Sequence, residues 1–227
     1  MNLSTLLLRR RTMMAIPQDY IQDGLIFLLD CADFNNGQSW VDRIGNIIFN
    51  NIGCTKQEDG GVYFGNGNYM FSSNSPQTPS DTETTLEICI KINSYSKSVS
   101  TPVFINCTSA LFAIEGDHNA VGSTRGDSTT SRVKLLDSTP YAKKSFSCFP
   151  YENARMFMNN TPMNTGTRFL FNIRNAQGCF IGNIPALNRA NMDAAIYCIR
   201  VYNRQITTEE RTYNFNIDSQ RFGIAHH

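Results

Sequence analysis

The sequence predicts an all-β fold, an antiparallel sandwich, on three observations. Apolar residues recur at every second position in short runs, most clearly in Thr84–Ile92, where Leu86, Ile88, Ile90 and Ile92 alternate with Glu87, Cys89 and Lys91. Further apolar runs follow at roughly 10–20-residue spacing, separated by Gly-, Asn-, Ser- and Thr-rich turns, the pattern of a sandwich or barrel. One helix alone is well signalled after residue 19, so no helices interleave with strands as a βαβ fold requires.

The bulk composition agrees. At 227 residues the chain fits one large β domain, since sandwiches run to about 200–250 residues as one unit. Charged residues make up 17%, a balance that excludes a disordered chain or a long helical rod. A net charge of +1 provides no global field to attract nucleic acid or an anionic membrane. The seven Cys include no Cys-x-x-Cys pair and no Cys/His cluster at zinc spacing, and most lie inside apolar runs. They read as small hydrophobes in strands, and the expectation is assembly in a reducing cytoplasm.

Residues 1–18 differ from the rest. Ser4 can cap a helix carrying Leu6, Leu7 and Leu8, then Arg9, Arg10 and Arg11, then Met13 and Met14, with Pro17 stopping it. Leu6 and Met13, and Leu7 and Met14, repeat at seven-residue spacing, which forms one apolar stripe with the arginines beside it. The charges follow the apolar residues, so the segment is not an export signal, and no run in the chain approaches the ~18 apolar residues of a membrane span. Three arginines and five apolar residues give marginal bilayer affinity. The segment is expected to be an anchor that docks on a protein partner, ahead of a single domain over 19–227.

Within that domain Gly24–Asp30 reads as a strand buried on both faces, followed by a turn at Asn35-Asn36-Gly37 and a new start at Trp40-Val41-Asp42. A turn leads into a short strand at Ile44–Phe49, and Gly60–Phe64 and Tyr69–Phe71 flank Gly65-Asn66-Gly67-Asn68, residues that tolerate positive φ. After a polar loop at Ser72–Asp81, Thr84–Ile92 is expected to be half-buried, with Glu87 at an exposed position. Further strands are predicted at Pro102–Cys107, Ala110–Glu115, Arg132–Leu136, Ser145–Phe149, Ala154–Met158, Phe169–Ile173 and Gly178–Gly182, with Asn159-Asn160 forming a type I′ turn. Ala194–Tyr202 closes the series, with Ala195, Tyr197, Ile199 and Val201 opposite Ile196, Cys198 and Arg200. Thr207 to Glu210 matches a capping box, Tyr213 and Ile217 share a face of the helix it opens, and Gly223 can end that helix.

Several of these segments resemble the laminin-G-like, concanavalin A-like lectin and glucanase superfamily: Gly24–Asp30, Trp40-Val41-Asp42 with Gly45-Asn46, Gly61–Gly65 with Asn68–Met70, and Thr85-Leu86-Glu87. The most specific likeness is the ending, Ile196–Arg204 followed by Ile206–Glu210, which is similar to the family's closing strand and its Tyr-Asn-Arg-x-Leu-(Ser/Thr)-x-x-Glu run into a short helix. The resemblance spans about residues 19–222 and implies a jelly-roll sandwich with one short C-terminal helix. The tail Ile217–Gly223 looks like a variety found in gut anaerobes and their phages. Residues 6–14 look like N-terminal segments of phage surface and head-fibre proteins of the crAss-like kind.

Because the superfamily includes glycoside hydrolases, the carboxylates decide whether chemistry is expected. Retaining glucanases carry Glu-x-Asp-x-x-Glu on a strand, with carboxyl groups about 5–5.5 Å apart. The nearest match is Glu115-Gly116-Asp117-His118-Asn119-Ala120, where Ala120 stands in place of the final acid. Glu83 and Glu87 share a strand face at the wrong spacing. No Gly-x-Ser-x-Gly elbow, phosphate loop or dinucleotide fingerprint is present, and Arg125-Gly126-Asp127 reads as a turn. No catalytic residue, metal ligand or cofactor is therefore assigned, and calcium enters only as something the family implies.

The resemblance implies a non-enzymatic virion structural or adhesion protein of head-fibre or capsid-decoration type. Its partners are other virion proteins and a host surface glycan, with no nucleic acid, and it is expected to be a homo- or hetero-oligomer. Residues Leu6, Leu7, Leu8, Arg9, Arg10, Arg11, Met13 and Met14 form the docking segment, and the loop aromatics Tyr95, Tyr141 and Tyr151 are the candidate glycan contacts. A lectin-like module of a gut bacterium is the alternative, and a glycoside hydrolase is the third reading.

Overall fold

The computed structural model describes residues 20–65, 67–77, 84–94, 100–106, 109–115, 120–125, 130–134, 142–149, 155–163, 178–182 and 193–225, with side chains described outside 100–134, 149 and 155. These residues form two antiparallel sheets and a helix. In chain order the strands are β1 (Leu25–Asp30), β2 (Trp40–Val41), β3 (Ile48–Ile52), β4 (Thr55–Lys56), β5 (Val62–Phe64), β6 (Tyr69–Ser72), β7 (Thr85–Ser94) and β8 (Ser100–Asn106). They continue as β9 (Ser109–Glu115), β10 (Ala120–Arg125), β11 (Thr130–Lys134), β12 (Lys143–Phe149), β13 (Arg155–Met158), β14 (Thr161–Met163), β15 (Cys179–Gly182) and β16 (Asp193–Tyr202), and α1 (Thr208–Phe222) follows.

The first sheet runs β14-β13-β12-β7-β16-β5-β4, with β1 also paired to β16, and the second runs β11-β10-β9-β8-β15-β6-β3-β2. Neighbours far apart in sequence, such as β15 between β6 and β8, give the crossed connections of a jelly roll rather than a meander. The inner faces meet in an apolar core that includes Phe27, Phe49, Phe64, Met70, Leu86, Ile88 and Ile181, all fully buried. Phe27 of the first sheet meets Phe49 of the second edge-on, ring centroids 6.0 Å apart.

The Trp40-Val41-Asp42 segment ties the sheets together. Trp40 is fully buried, and its Nε1 donates to the Asp30 carbonyl at 2.8 Å. The buried Asp42 carboxylate accepts from the backbone N–H groups of Leu28, Ile44 and Gly45 at 2.7, 3.1 and 2.6 Å. Gly45 leaves room for it, since a Cβ there would lie 2.8 Å from Asp42 Oδ2.

The helix follows the sequence signal. Thr207 Oγ1 accepts from Glu210 N at 3.2 Å and Glu210 Oε2 accepts from Thr207 N at 2.8 Å, while Gly223 ends the helix at φ +68°. Arg204 reaches both Glu210, at 2.6 Å, and Asp23, at 2.9 Å, so the Tyr-Asn-Arg ending fastens the last strand to the helix start and to the approach to β1. Asn159 and Asn160 have φ of 48° and 62°, as a type I′ turn demands.

Four expectations change. Thr84–Ile92 is not half-buried: Glu87 and Cys89 are buried as completely as Leu86, because α1 covers the outer face of β7. In β16 the register slips between Ile196 and Cys198, so Tyr197 bulges out beside Cys198 on the helix side. The residues opposite Ile90, Ile88 and Leu86 are then Ile196, Ile199 and Val201, which breaks the predicted grouping of Tyr197 with Ile199. Third, α1 turns a polar face inward, with Arg211, Asn214, Asp218 and Ser219 buried, while Tyr213 is 49% exposed. Finally β11 starts two residues before the predicted Arg132, and β10, β14 and the two-residue β4 were not anticipated. The predicted strand at 169–173 lies outside the described residues.

Gly182 sits at φ +87°, and a Cβ there would lie 2.5 Å from Phe64 Cδ1, whereas Gly60, at φ +88°, has open space around the same position. Gly60→Ala should cost about 1–3 kcal/mol from backbone strain alone. Gly182→Ala should cost clearly more, read as a lower urea midpoint at unchanged m. Equal losses would show that the sheets yield freely at this point.

Candidate functional site

The two outer faces of the sandwich have opposite characters. On the helix side, side chains opposite in register gather Ser145, Ser147, Glu87, Cys89, Cys198, Arg200 and Tyr202 from β12, β7 and β16. Arg200 is at the centre, 1% exposed. Its Nε donates to Glu87 Oε2 at 2.9 Å, and NH1 and NH2 donate to the two oxygens of Asp218 on α1 at 2.7 and 2.6 Å. Each carboxylate has further donors. Ser147 and Asn214 serve Glu87 at 2.8 and 2.9 Å, and Tyr20 and Ser145 serve Asp218 at 2.8 and 3.0 Å.

The two carboxyls are driven apart in proton affinity. Burial, reinforced by the charge of Asp218, raises Glu87 above the ordinary carboxylate range in spite of Arg200. Burial also pushes Asp218 upward, but the charge and paired hydrogen bonds of Arg200 outweigh it and hold Asp218 below that range. Such a split pair is what acid–base chemistry uses. Here both carboxyls are sealed beneath α1, at 1% exposure or less, so a polymeric substrate has no approach. Glu87, expected at an exposed position, belongs to this buried layer.

The layer continues to the start of the described chain. Arg221 donates to the Tyr20 hydroxyl at 2.8 Å and to Asp30 Oδ1 at 2.9 Å, Arg43 pairs with Asp33, and Ile21 N donates to Asn214 Oδ1 at 3.1 Å. Tyr20 is 2% exposed. The described chain therefore begins beside α1, on the helix side of the molecule.

The second sheet has no helix over its described outer face. Register places Val41 opposite Ile48, Asn50 opposite Phe71, Ile52 opposite Tyr69, and Phe180 opposite Phe71. The alternate residues Trp40, Phe49, Met70, Cys179 and Ile181 point into the core and are buried. Val41, Ile48 and Ile52 are exposed large hydrophobics, at 39, 54 and 47%. Phe180 is half-buried between Phe71 and Tyr69, with centroids 4.8 and 6.3 Å away and planes tilted by 40° and 41°. The result is an apolar and aromatic strip across β2, β3, β6 and β15, interrupted by Asn50, on the side of the sandwich away from α1.

The docking residues Leu6–Leu8, Arg9–Arg11, Met13 and Met14 and the candidate glycan contacts Tyr95, Tyr141 and Tyr151 lie outside the described residues, as do Glu83, Asp117, His118 and Asn119. Glu115 ends β9, and its side chain is not among those described. Trp40 is core, and Tyr63 and Tyr69 are half-buried. Sequence reasoning missed Phe71 and Phe180. Their strands were anticipated, but the signal was the pairing of β6 with β15, which are more than a hundred residues apart. The six described cysteines are all buried. Burial pushes Cys31 up to about 11 and Cys54 up to about 12, which removes them as nucleophiles. No cluster of three or more His, Cys, Asp or Glu that could hold a metal occurs among the described residues, and no described helix is long and apolar enough to cross a membrane.

The fold defines a class, the all-β jelly-roll sandwich, and solved structures share it. Trypanosoma rangeli sialidase, in complex with a difluorinated nononic acid, matches with a TM-score of 0.64 at 14% identity, covering 87% of this chain and 33% of the sialidase. A botulinum neurotoxin type C structure concerned with interaction with two ganglioside molecules matches at 0.64 and 10% identity, covering 86% of this chain and 51% of the toxin chain. The binding domain of botulinum neurotoxin DC, in complex with SialylT, matches at 0.63 and 11% identity, covering 86% and 52%. The chain thus spans a third to about half the length of these neighbours. No family model and no curated protein sequence matches it.

The ionic layer sets an expected pH response. Asp218, held low in the folded chain, contributes stability that is complete above the unfolded value near pH 3.9 and is lost as pH falls through its folded value. Glu87, held high, acts in the opposite sense: its contribution is complete below about pH 4.3 and is lost as pH rises through its folded value. Asp218→Asn should therefore cost about 3–5 kcal/mol at pH 7 and flatten the acid limb of stability. Glu87→Gln should cost less at pH 7. Urea unfolding between pH 2 and 8 measures both, and equal costs would refute this division between the two carboxyls.

Proposed function

We propose that the chain is a non-enzymatic adhesion module that binds carbohydrate through the open face of its second sheet, carried on a phage particle assembled in the host cytoplasm and docked through residues 1–18. The observation that carries the binding half is the strip of Tyr69, Phe71 and Phe180, flanked by Val41, Ile48 and Ile52 and left uncovered by α1. Aromatic ring faces receive the C–H faces of sugar rings, and the Tyr69 hydroxyl and Asn50 amide supply both donors and acceptors. The ganglioside and sialylated ligands named for the toxin neighbours support a carbohydrate reading of the fold.

The docking half rests on the apolar and basic pattern of Leu6 to Met14. Leu6–Leu8, Met13 and Met14 supply apolar burial, and Arg9–Arg11 pair with carboxylates of capsid or fibre subunits.

Two experiments separate the halves. On a glycan array, Phe71→Ala and Phe180→Ala should each lower affinity at least about tenfold, a loss of ~1.4 kcal/mol, while the unfolding midpoint changes little. If the wild-type protein binds no glycan and instead self-associates in a way that Phe180→Ala abolishes, the face is a protein interface and the carbohydrate reading fails. Deleting residues 2–16 should remove the protein from purified particles and leave a folded, glycan-binding domain. Normal incorporation of the truncated protein would sink the docking assignment.

A further inference from the structure

We infer that the open face takes an uncharged, extended glycan, not a sialylated or uronic one; this rests on reading that face as the carbohydrate site. The placement of the cations decides the charge of the ligand. A sugar carboxylate is held by charge-assisted hydrogen bonds, most often from Arg or Lys. The strand residues of β2, β3, β6, β15, β8 and β9 include no Lys and no Arg, and their single acid is Glu115 at the far end of β9. The basic residues of this sheet, Arg125 on β10 and Arg132 and Lys134 on β11, stand three and four strands from β15, roughly 14 and 19 Å away.

The arginine side chains described elsewhere in the molecule are engaged by their own partners, Arg211 by Asn160 among them. Arg43 holds Asp33, Arg200 holds Glu87 and Asp218, Arg204 holds Glu210, and Arg221 holds Asp30. Among the described residues, an anionic sugar on the strip would meet phenyl rings and aliphatic side chains, and lose hydration with no described cation to replace it.

A neutral sugar meets the opposite situation. Phe71 and Phe180 present ring faces to C–H groups, Asn50 stands directly opposite Phe71 with an exposed amide, and Tyr69 adds a hydroxyl at the edge. The strip crosses four neighbouring strands, from β2 through β3 and β6 to β15, a width of about 14 Å. That exceeds one pyranose ring, so the face fits several linked residues better than a single terminal sugar.

The test uses the full-length protein against two sets of oligosaccharides, measured at 50 and 500 mM NaCl. One set is uncharged, dimers to hexamers of glucose, galactose and mannose; the other is anionic, sialyllactose and oligogalacturonate. Binding to uncharged oligosaccharides is expected, tightening at least fivefold from dimer to tetramer and changing less than twofold with salt, because no ion pair is there to be screened. Asn50→Ala should weaken it about fivefold. Binding confined to the anionic set and abolished at 500 mM salt would overturn this inference while leaving the carbohydrate reading intact. Binding to neither set would overturn the carbohydrate reading itself.

Discussion

Arg200 connects every part of the helix side of this molecule. It stands on β16, the strand that pairs with β1, β5 and β7, and it holds Glu87 of β7 with one edge and Asp218 of α1 with the other. Its face lies over the Tyr20 ring, 4.0 Å from the centroid, and Tyr20 in turn donates to Asp218. A guanidinium removed this completely from water is tolerated only when its donors are matched in geometry and charge. Two carboxylates from different elements provide that match, so the sheet, the helix and the entering chain must all be in place together. Burial tends to lower the proton affinity of Arg200, but the surrounding carboxylates raise it well above the ordinary value, and it stays charged throughout the physiological range.

This arrangement explains both what was legible in the sequence and what was not. Local rules read correctly: the capping box at Thr207, the glycine end at Gly223, the Asn159-Asn160 turn and the alternation in β7 each depend on a few adjacent residues. The error at Glu87 had a different origin. Period-two alternation shows that Glu87 and Ile88 face opposite ways, but not that a helix more than a hundred residues later will cover the polar side. For the same reason nothing local marks Arg211, Asn214, Asp218 and Ser219 as the residues of α1 that point inward. The bulge at Tyr197 was hidden because it inserts one residue without any glycine or proline to mark it.

The candidate site was legible only in part. Tyr69, Phe71 and Phe180 look like ordinary strand residues in the sequence, and their shared exposure emerges only from the pairing of β6 with β15. The helix-side face of the sandwich is committed to ionic packing and cannot also receive a ligand. The face opposite it, with its apolar surface left open among the described residues, is the one proposed above to bind. An uncovered strip of this kind on a folded domain is itself unusual and marks a site of contact.

The pinned start at Tyr20 has a consequence for how the domain can be handled. Asn159, at the tip of the β13–β14 turn, reaches the Ala225 carbonyl, and Tyr20 lies against Asp218 and Arg221 of the same helix. The first and last described residues, Tyr20 and Ala225, therefore both lie on the α1 side of the sandwich. Residues 20–225 grafted into a surface loop of an unrelated scaffold would have both junctions on that side, away from the open strip. A fluorophore or affinity handle placed at either end would leave the far side of the sandwich clear.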